Sequence, residues 1–178
     1  HPTICVNPPL GRDWAEAFAD AGIETCAIYQ VCTNDSDGLV APYKDEAGEA
    51  HGAIAFTWAA ETMRQPPYTP IYFSLDFSVP TYWRPVWDPV SADWVYGEFD
   101  TVPMETILLF FRDVHVALRT HLETHPGYPY YVGVYGGVDV CRALYRAGLA
   151  SHFFHPPWAW ADDLQPPFPH VNVWQVAL

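Results

Sequence analysis

The 178-residue sequence is poor in basic residues. One lysine, Lys44, and seven arginines stand against 21 aspartates and glutamates, a net charge of −13. Affinity for nucleic-acid phosphates comes from clustered Lys and Arg, so no nucleic-acid partner is expected. The same deficit argues against adsorption on an anionic membrane surface. No run of about 18 apolar residues occurs, so no helical membrane span is expected. The four cysteines, Cys5, Cys26, Cys32 and Cys141, form no CxxC pair, which leaves a zinc knuckle or thioredoxin-type motif without support. Neither GxGxxG nor GxxxxGK followed by Ser or Thr trails any strand-like run, and no GxSxG elbow is present. No cofactor and no metal is therefore expected.

What is present points to a folded chain. Half of the residues are hydrophobic and 16% are aromatic, which excludes a disordered tail. The length suits one domain over residues 1–178. Proline is abundant, 18 residues in all, about twice the usual share. The even cysteine count permits two disulfides in an exported protein, and the alternative is four free, buried thiols. The chain begins at His1 rather than Met, which reads as a removed leader or a fragment.

Periodicity divides the chain into alternating elements. Thr3–Asn7 is β-prone and Arg12–Ala21 is helical, with Trp14, Ala17, Phe18 and Ala21 on one face. A strand is predicted over Glu24–Gln30, then a helix over Asp45–Arg64. The small residues Ala47 and Ala50 on that helix's inner face, with Ile54 and Trp58, suggest close packing. Ile71–Phe77 is the clearest strand: Ile71, Phe73, Leu75 and Phe77 alternate with Tyr72, Ser74, Asp76 and Ser78. An aromatic insertion follows at about 79–103, carrying Tyr82, Trp83, Trp87, Trp94, Tyr96 and Phe99. Met104–His125 is strongly amphipathic through Met104, Ile107, Leu108, Phe111, Val114, Leu118 and Leu122. Tyr130–Tyr135 is a strand, Val138–Ala147 a helix, and short strands are predicted near His152–Phe154 and Asn172–Val176. Strand–helix alternation of this kind implies parallel strands with crossover helices, in a barrel or a doubly wound sheet.

Candidate chemistry collects at strand ends. Asp76 lies near the carboxyl end of the strongest strand, on the face it shares with Tyr72 and Ser74. In parallel α/β barrels that rim carries the catalytic groups; the structural alternative is a buried loop cap. Gln30, Tyr135, Trp174 and Gln175 close three other strands. Amides, a carboxylate and aromatic faces suit a sugar better than an anion or a metal. His121 and His125 are spaced to share a helix face, yet they occupy a last turn, where imidazolium favours the helix dipole. His152 and His155 flank Phe153-Phe154, and neither pair is read as a metal site. Cys141, one turn into a helix, has the apolar neighbours Val138, Val140 and Leu144 and reads as core rather than nucleophile.

The segment Ile71-Tyr72-Phe73-Ser74-Leu75-Asp76-Phe77 resembles the IYF-x-x-D strand of glycoside-hydrolase-like TIM-barrel domains of unknown function from secreted bacterial proteins. Ala21-Gly22-Ile23 leading to Ile28-Tyr29-Gln30, Tyr131–Gly136 and Val173-Trp174-Gln175 are similar to further motifs of that family, in the same order. The resemblance covers roughly residues 14–178. That family is similar in turn to the family 25 glycoside hydrolases, lysozyme-type muramidases. The resemblance implies a (β/α) TIM-type barrel, a carbohydrate-facing pocket, and peptidoglycan as ligand. It implies Asp76 as the active-site carboxylate.

Three departures matter. Muramidases carry Asp-x-Glu on this strand, and here the third position is Ser78. Glycoside hydrolysis usually uses two carboxylates, about 5 Å apart for retention and about 6.5–9.5 Å for inversion. Asp139, Asp162 and Asp163 are candidates for the second. The family's first strand, with its own aspartate, finds no counterpart in the sequence reading, so Thr3–Asn7 is expected to take the place of the second strand and the barrel is expected to be incomplete or irregular. The aromatic insertion is larger than usual.

The expectation is a secreted or cell-surface domain acting on a polysaccharide such as peptidoglycan. Asp76 is the catalytic group, with Gln30, Tyr72, Tyr135, Trp174 and Gln175 binding substrate. The rivals are a non-catalytic glycan-binding module and a self-assembling extracellular protein. The last would form homo-oligomers through an open barrel edge or through Trp83, Trp87 and Trp94.

Overall fold

Five parallel strands form the central sheet, and their spatial order is their order along the chain. The computed structural model describes residues 3–4, 12–22, 27–32, 43, 47–75, 81–88, 90–155 and 169–174. The elements are β1 (Thr3–Ile4), α1 (Arg12–Asp20), β2 (Ala27–Tyr29), β3 (Val31–Cys32), α2 (Gly48–Thr57), a π-helical continuation (Trp58–Met63), β4 (Pro70–Ser74), β5 (Thr81–Asp88), β6 (Asp93–Thr101), α3 (Met104–Thr124), β7 (Tyr131–Tyr135), α4 (Val138–Ala147), β8 (His152–His155) and β9 (Val173–Trp174). The sheet runs β2-β4-β7-β8-β9. The architecture is mixed α/β, as the alternation predicts.

The period-2 pattern of β4 sorts the sheet into two faces. Ile71, Phe73 and Leu75 join Val132, Val134 and Phe153 in one core cluster. Facing them are Ala55, Phe56 and Ala59 of α2 and its continuation, Ile107, Phe111 and Val114 of α3, and Val140, Cys141 and Leu144 of α4. Three helices thus cover one face of the sheet. Phe73 is the hub, with rings of Tyr29, Phe56, Phe110 and Phe111 centred 5.4–6.3 Å away. Burying each such phenylalanine contributes about 1.5–3 kcal/mol.

Close packing of α2 is present, but on a different face from the one expected. Ala50 and Ile54 are exposed, and Gly48, Gly52, Ala55 and Ala59 are buried. A Cβ on Gly48 would collide with the Phe110 carbonyl, and one on Gly52 would lie 2.8 Å from the Ala117 Cβ. The two glycines let the helix backbones approach. The π-helical turn ends at Arg64 in the left-handed region (φ 50, ψ 42), where the Gln65 N–H donates to the Ala59 carbonyl at 2.9 Å. On α3 the buried stripe includes Phe110, Ala117 and His121, rotated from the predicted line toward α2.

Two other expectations are corrected. Thr3–Ile4 is not a strand of the parallel sheet; it pairs antiparallel with Val31–Cys32. The aromatic insertion has its own structure: β5 and β6 form an antiparallel ribbon, pairing Trp87 with Trp94 and Pro85 with Tyr96, with a bulge at Tyr82/Trp83. A two-stranded ribbon has only edge strands, which is why Pro85 is tolerated within it. Cys141 is free and fully buried, so the four cysteines do not make two disulfides. Cys5 and Cys26 lie outside the described residues.

Candidate functional site

The sheet face turned away from the helices carries Tyr72 and Ser74 of β4, Gly133 and Tyr135 of β7, and Phe154 of β8. The register places Tyr72 opposite Gly133, Ser74 opposite Tyr135, and Tyr135 opposite Phe154. Parallel neighbours in register point to the same face, so these side chains form one surface. Tyr72 is 2% exposed. A Cβ on Gly133 would come within 2.8 Å of the Tyr72 ring, so the glycine makes room for it. The Phe154 ring stands edge-on to Tyr72 (5.8 Å, 86°) and packs against Tyr135 (4.9 Å, 63°). Tyr72 and Phe154 are therefore the floor, and the half-buried Tyr135 is the ring nearer the surface.

Backbone and side-chain hydrogen bonds fix the carboxyl edge above this floor. The Leu75 N–H donates to the Tyr135 carbonyl at 2.8 Å, and the Gly136 N–H donates to the Phe154 carbonyl at 3.1 Å. The Tyr43 hydroxyl donates to the Ser74 carbonyl at 2.5 Å, and its ring packs on Phe110 at 4.5 Å. The Gly136 carbonyl accepts from His155 Nδ1 at 3.1 Å and from the Cys141 thiol at 3.6 Å. Burial pushes that thiol up to about 12, so it stays protonated near neutral pH and is core, as its neighbours suggest.

The predicted site residues divide three ways. Tyr72 and Tyr135 are brought together through Phe154. Gln30 is half-buried and directly follows β2, whose register with β4 ends at Tyr29 opposite Phe73. Trp174 lies in β9 opposite His155. Asp76 and Gln175 lie outside the described residues, as do Asp162 and Asp163. Asp139 sits in the first turn of α4, just after the carboxyl end of β7, where the helix dipole favours a carboxylate. Its Oδ1 lies 3.9 Å from the Arg142 guanidinium.

Beside β2 a second polar contact lies on the helix-covered face. The Tyr29 hydroxyl and His51 Nδ1 are 2.8 Å apart. Burial raises Tyr29 to about 12 and lowers His51 from its ordinary value, so both rest neutral. The histidine pairs do not converge on a metal geometry. His155 binds the Gly136 carbonyl, while His152, on the opposite face of β8, stacks on Tyr131 (5.0 Å, 26°). His121 and His125 stack with one another. Among the described residues no group of three or more His, Cys, Asp or Glu side chains would hold a metal ion. No helix among them is long and apolar enough to cross a membrane.

Phe154, Gly133 and Tyr43 are the parts of this edge that the sequence reading passed over. A glycine inside a strand does signal close approach of a neighbouring group. Gly133, between Val132 and Val134, carries that signal.

A sequence profile described as "Rv2525c-like, glycoside hydrolase-like domain" matches residues 1–177. No curated protein and no solved structure matches the chain significantly. The profile covers nearly the whole chain, including all five strands of the sheet and the aromatic floor beneath their carboxyl edge. The chain belongs to the Rv2525c-like, glycoside hydrolase-like domain family.

Proposed function

We propose that this chain is an extracellular or cell-surface domain that acts on a glycan, with cell-wall peptidoglycan the leading substrate. The glycan sits at the carboxyl edge of the parallel sheet. The observation that carries this reading is the aromatic floor of Tyr72, Phe154 and Tyr135 beneath that edge, in a chain of glycoside hydrolase-like family. Aromatic rings cover the apolar face of a sugar, while amides and carboxylates take its hydroxyls. Tyr135 is the contact ring, and Gln30, Trp174 and Gln175 are the further residues this reading assigns to the sugar.

A (β/α) barrel is the wider fold this reading adopts. Support comes from the strand order, which follows the chain without reversal, with helices packed on one face. A doubly wound sheet reverses its order at a switch point. On this reading Asp76, two residues past Ser74 in the sequence, serves as general acid/base or as the charge facing an oxocarbenium-like transition state.

A second, non-catalytic reading keeps the same glycan surface without bond cleavage. Ser78 favours it, standing where muramidases place a second acid. Asp139, the one described candidate for that acid, has its carboxylate 3.9 Å from the Arg142 guanidinium. Incubation with insoluble peptidoglycan and chitin, with Asp76→Asn in parallel, separates the readings. Hydrolysis predicts reducing ends released by the wild type alone. A binding module predicts saturable retention without release. A large assembly by light scattering, with neither result, would overturn the glycan reading in favour of a structural protein.

A further inference from the structure

We propose that His121, buried against the His125 ring, is a latch whose protonation releases the amino-terminal loops of the sheet. The pair lies at the far end of α3, away from the carboxyl edge, and has no part in the glycan surface.

His121 is 5% exposed, and its Nε2 has no hydrogen-bond partner. Its ring lies parallel to that of His125, with centroids 4.6 Å apart and planes 9° apart. Phe56 of α2 and Tyr130, in the segment leading to β7, close its other sides at 5.8 Å each. His125 has both nitrogens engaged: Nε2 lies 3.1 Å from Glu61 Oε1 on the π-helical turn, and Nδ1 lies 2.9 Å from Thr124 Oγ1. The ionisable groups around the pair are thus Glu61 from the π-helical turn, Tyr128 and Tyr130 from the connecting segment, and the two imidazoles themselves.

These groups set an asymmetry. His125 Nε2 has the Glu61 carboxylate beside it. A proton on His121 Nε2 has no acceptor and is buried against the His125 ring. A buried unpaired charge opposes it. Burial and then His125 hold His121 below the ordinary histidine value, against smaller opposing effects from the Tyr128 backbone and Glu61. Protonating His121 therefore requires the stack to open.

Opening has a defined reach. Beside the pair, the Tyr130 hydroxyl donates to the Gln65 carbonyl at 3.1 Å. The Tyr68 N–H donates to the Pro129 carbonyl at 2.6 Å, and the Tyr131 N–H donates to the Thr69 carbonyl at 3.1 Å. The segments entering β4 and β7 are tied to each other beside the stack. Arg64 and Tyr68, both non-glycine residues at positive φ (50° and 63°), lie in the first of them. Residues held there cost free energy and persist only while their surroundings enforce the conformation. Loss of the stack removes part of that enforcement.

The test uses the full chain with isotope-labelled histidine, followed by NMR from about pH 8 to about pH 5, with hydrogen exchange at both ends of the range. The expected result is a His121 midpoint below the ordinary histidine value that rises in His125→Gln, where the stacked ring is gone. Exchange over residues 58–69 and 121–131, corrected for intrinsic rates, should increase about tenfold at the acid end in wild type and stay flat in His121→Phe. A His121 midpoint unmoved by His125→Gln overturns the part given to the stacked ring. An acid-end increase that persists in His121→Phe overturns the latch.

Discussion

The Tyr72 ring lies against Gly133, the residue opposite it on the neighbouring strand, at a distance that leaves no room for a Cβ. This contact settles the aromatic floor: the ring reaches across β7 and meets Phe154 edge-on. Gly133→Ala should displace the Tyr72 ring and destabilise the protein by about 1–3 kcal/mol, the usual cost of overpacking. Urea unfolding monitored by fluorescence gives the shift in midpoint. An unchanged midpoint would mean the floor adapts freely.

A second glycine contact makes a separate prediction. Gly52→Ala puts a methyl 2.8 Å from the Ala117 Cβ at the crossing of α2 and α3. Helix propensity alone favours the substitution by up to about 1 kcal/mol, so a net loss isolates the packing cost of about 1–3 kcal/mol. Gly127→Ala, at a position with open space around the missing Cβ, is the control and should leave thermal stability nearly unchanged.

Cys141 should resist modification. Its thiol is buried and pushed up to about 12. A maleimide at about pH 8 should therefore label Cys141 in urea but not in the native protein, as mass spectrometry of the peptide spanning α4 would show. The same shift makes a linkage prediction. The unfolded thiol ionises near 9 while the folded one stays protonated, so stability declines as pH rises from about 9 toward about 12.

Acid weakens the fold by the opposite route. Burial lowers His51, His121 and His152 below their ordinary value of 6.5. The unfolded chain then takes up protons that the folded chain refuses. Stability is full above about pH 6.5 and falls as pH drops below it. Denaturant midpoints measured from about pH 8 down to about pH 5.5 should decline, and less steeply in His121→Phe. A flat profile would contradict the burial of these rings.

Much of the fold could be read from periodicity. β4, β7, α3 and α4 each show one dominant period, and one face of each meets the same core. The ribbon of β5 and β6 was not legible, because Pro85 and clustered aromatics obscure alternation and its stability depends on pairing that no single strand reveals. The buried face of α2 was misjudged for a related reason. Small residues lie all around that helix, and only contact with α3 selects Gly48 and Gly52 over Ala47 and Ala50. At the candidate site, alternation put Tyr72 and Ser74 on one face of β4 and Tyr135 at the end of its strand, but only the β4–β7 register brings Tyr72 and Tyr135 to the same face. Phe154 was missed because β8 is four residues long, too short to show a period.

The most direct test of the glycan reading is the release of reducing ends from insoluble peptidoglycan by wild type and Asp76→Asn, each confirmed folded by circular dichroism. The account predicts retention of both proteins on the polymer and release by the wild type alone. Neither retention nor release, from a folded wild-type protein on peptidoglycan or chitin, would contradict it.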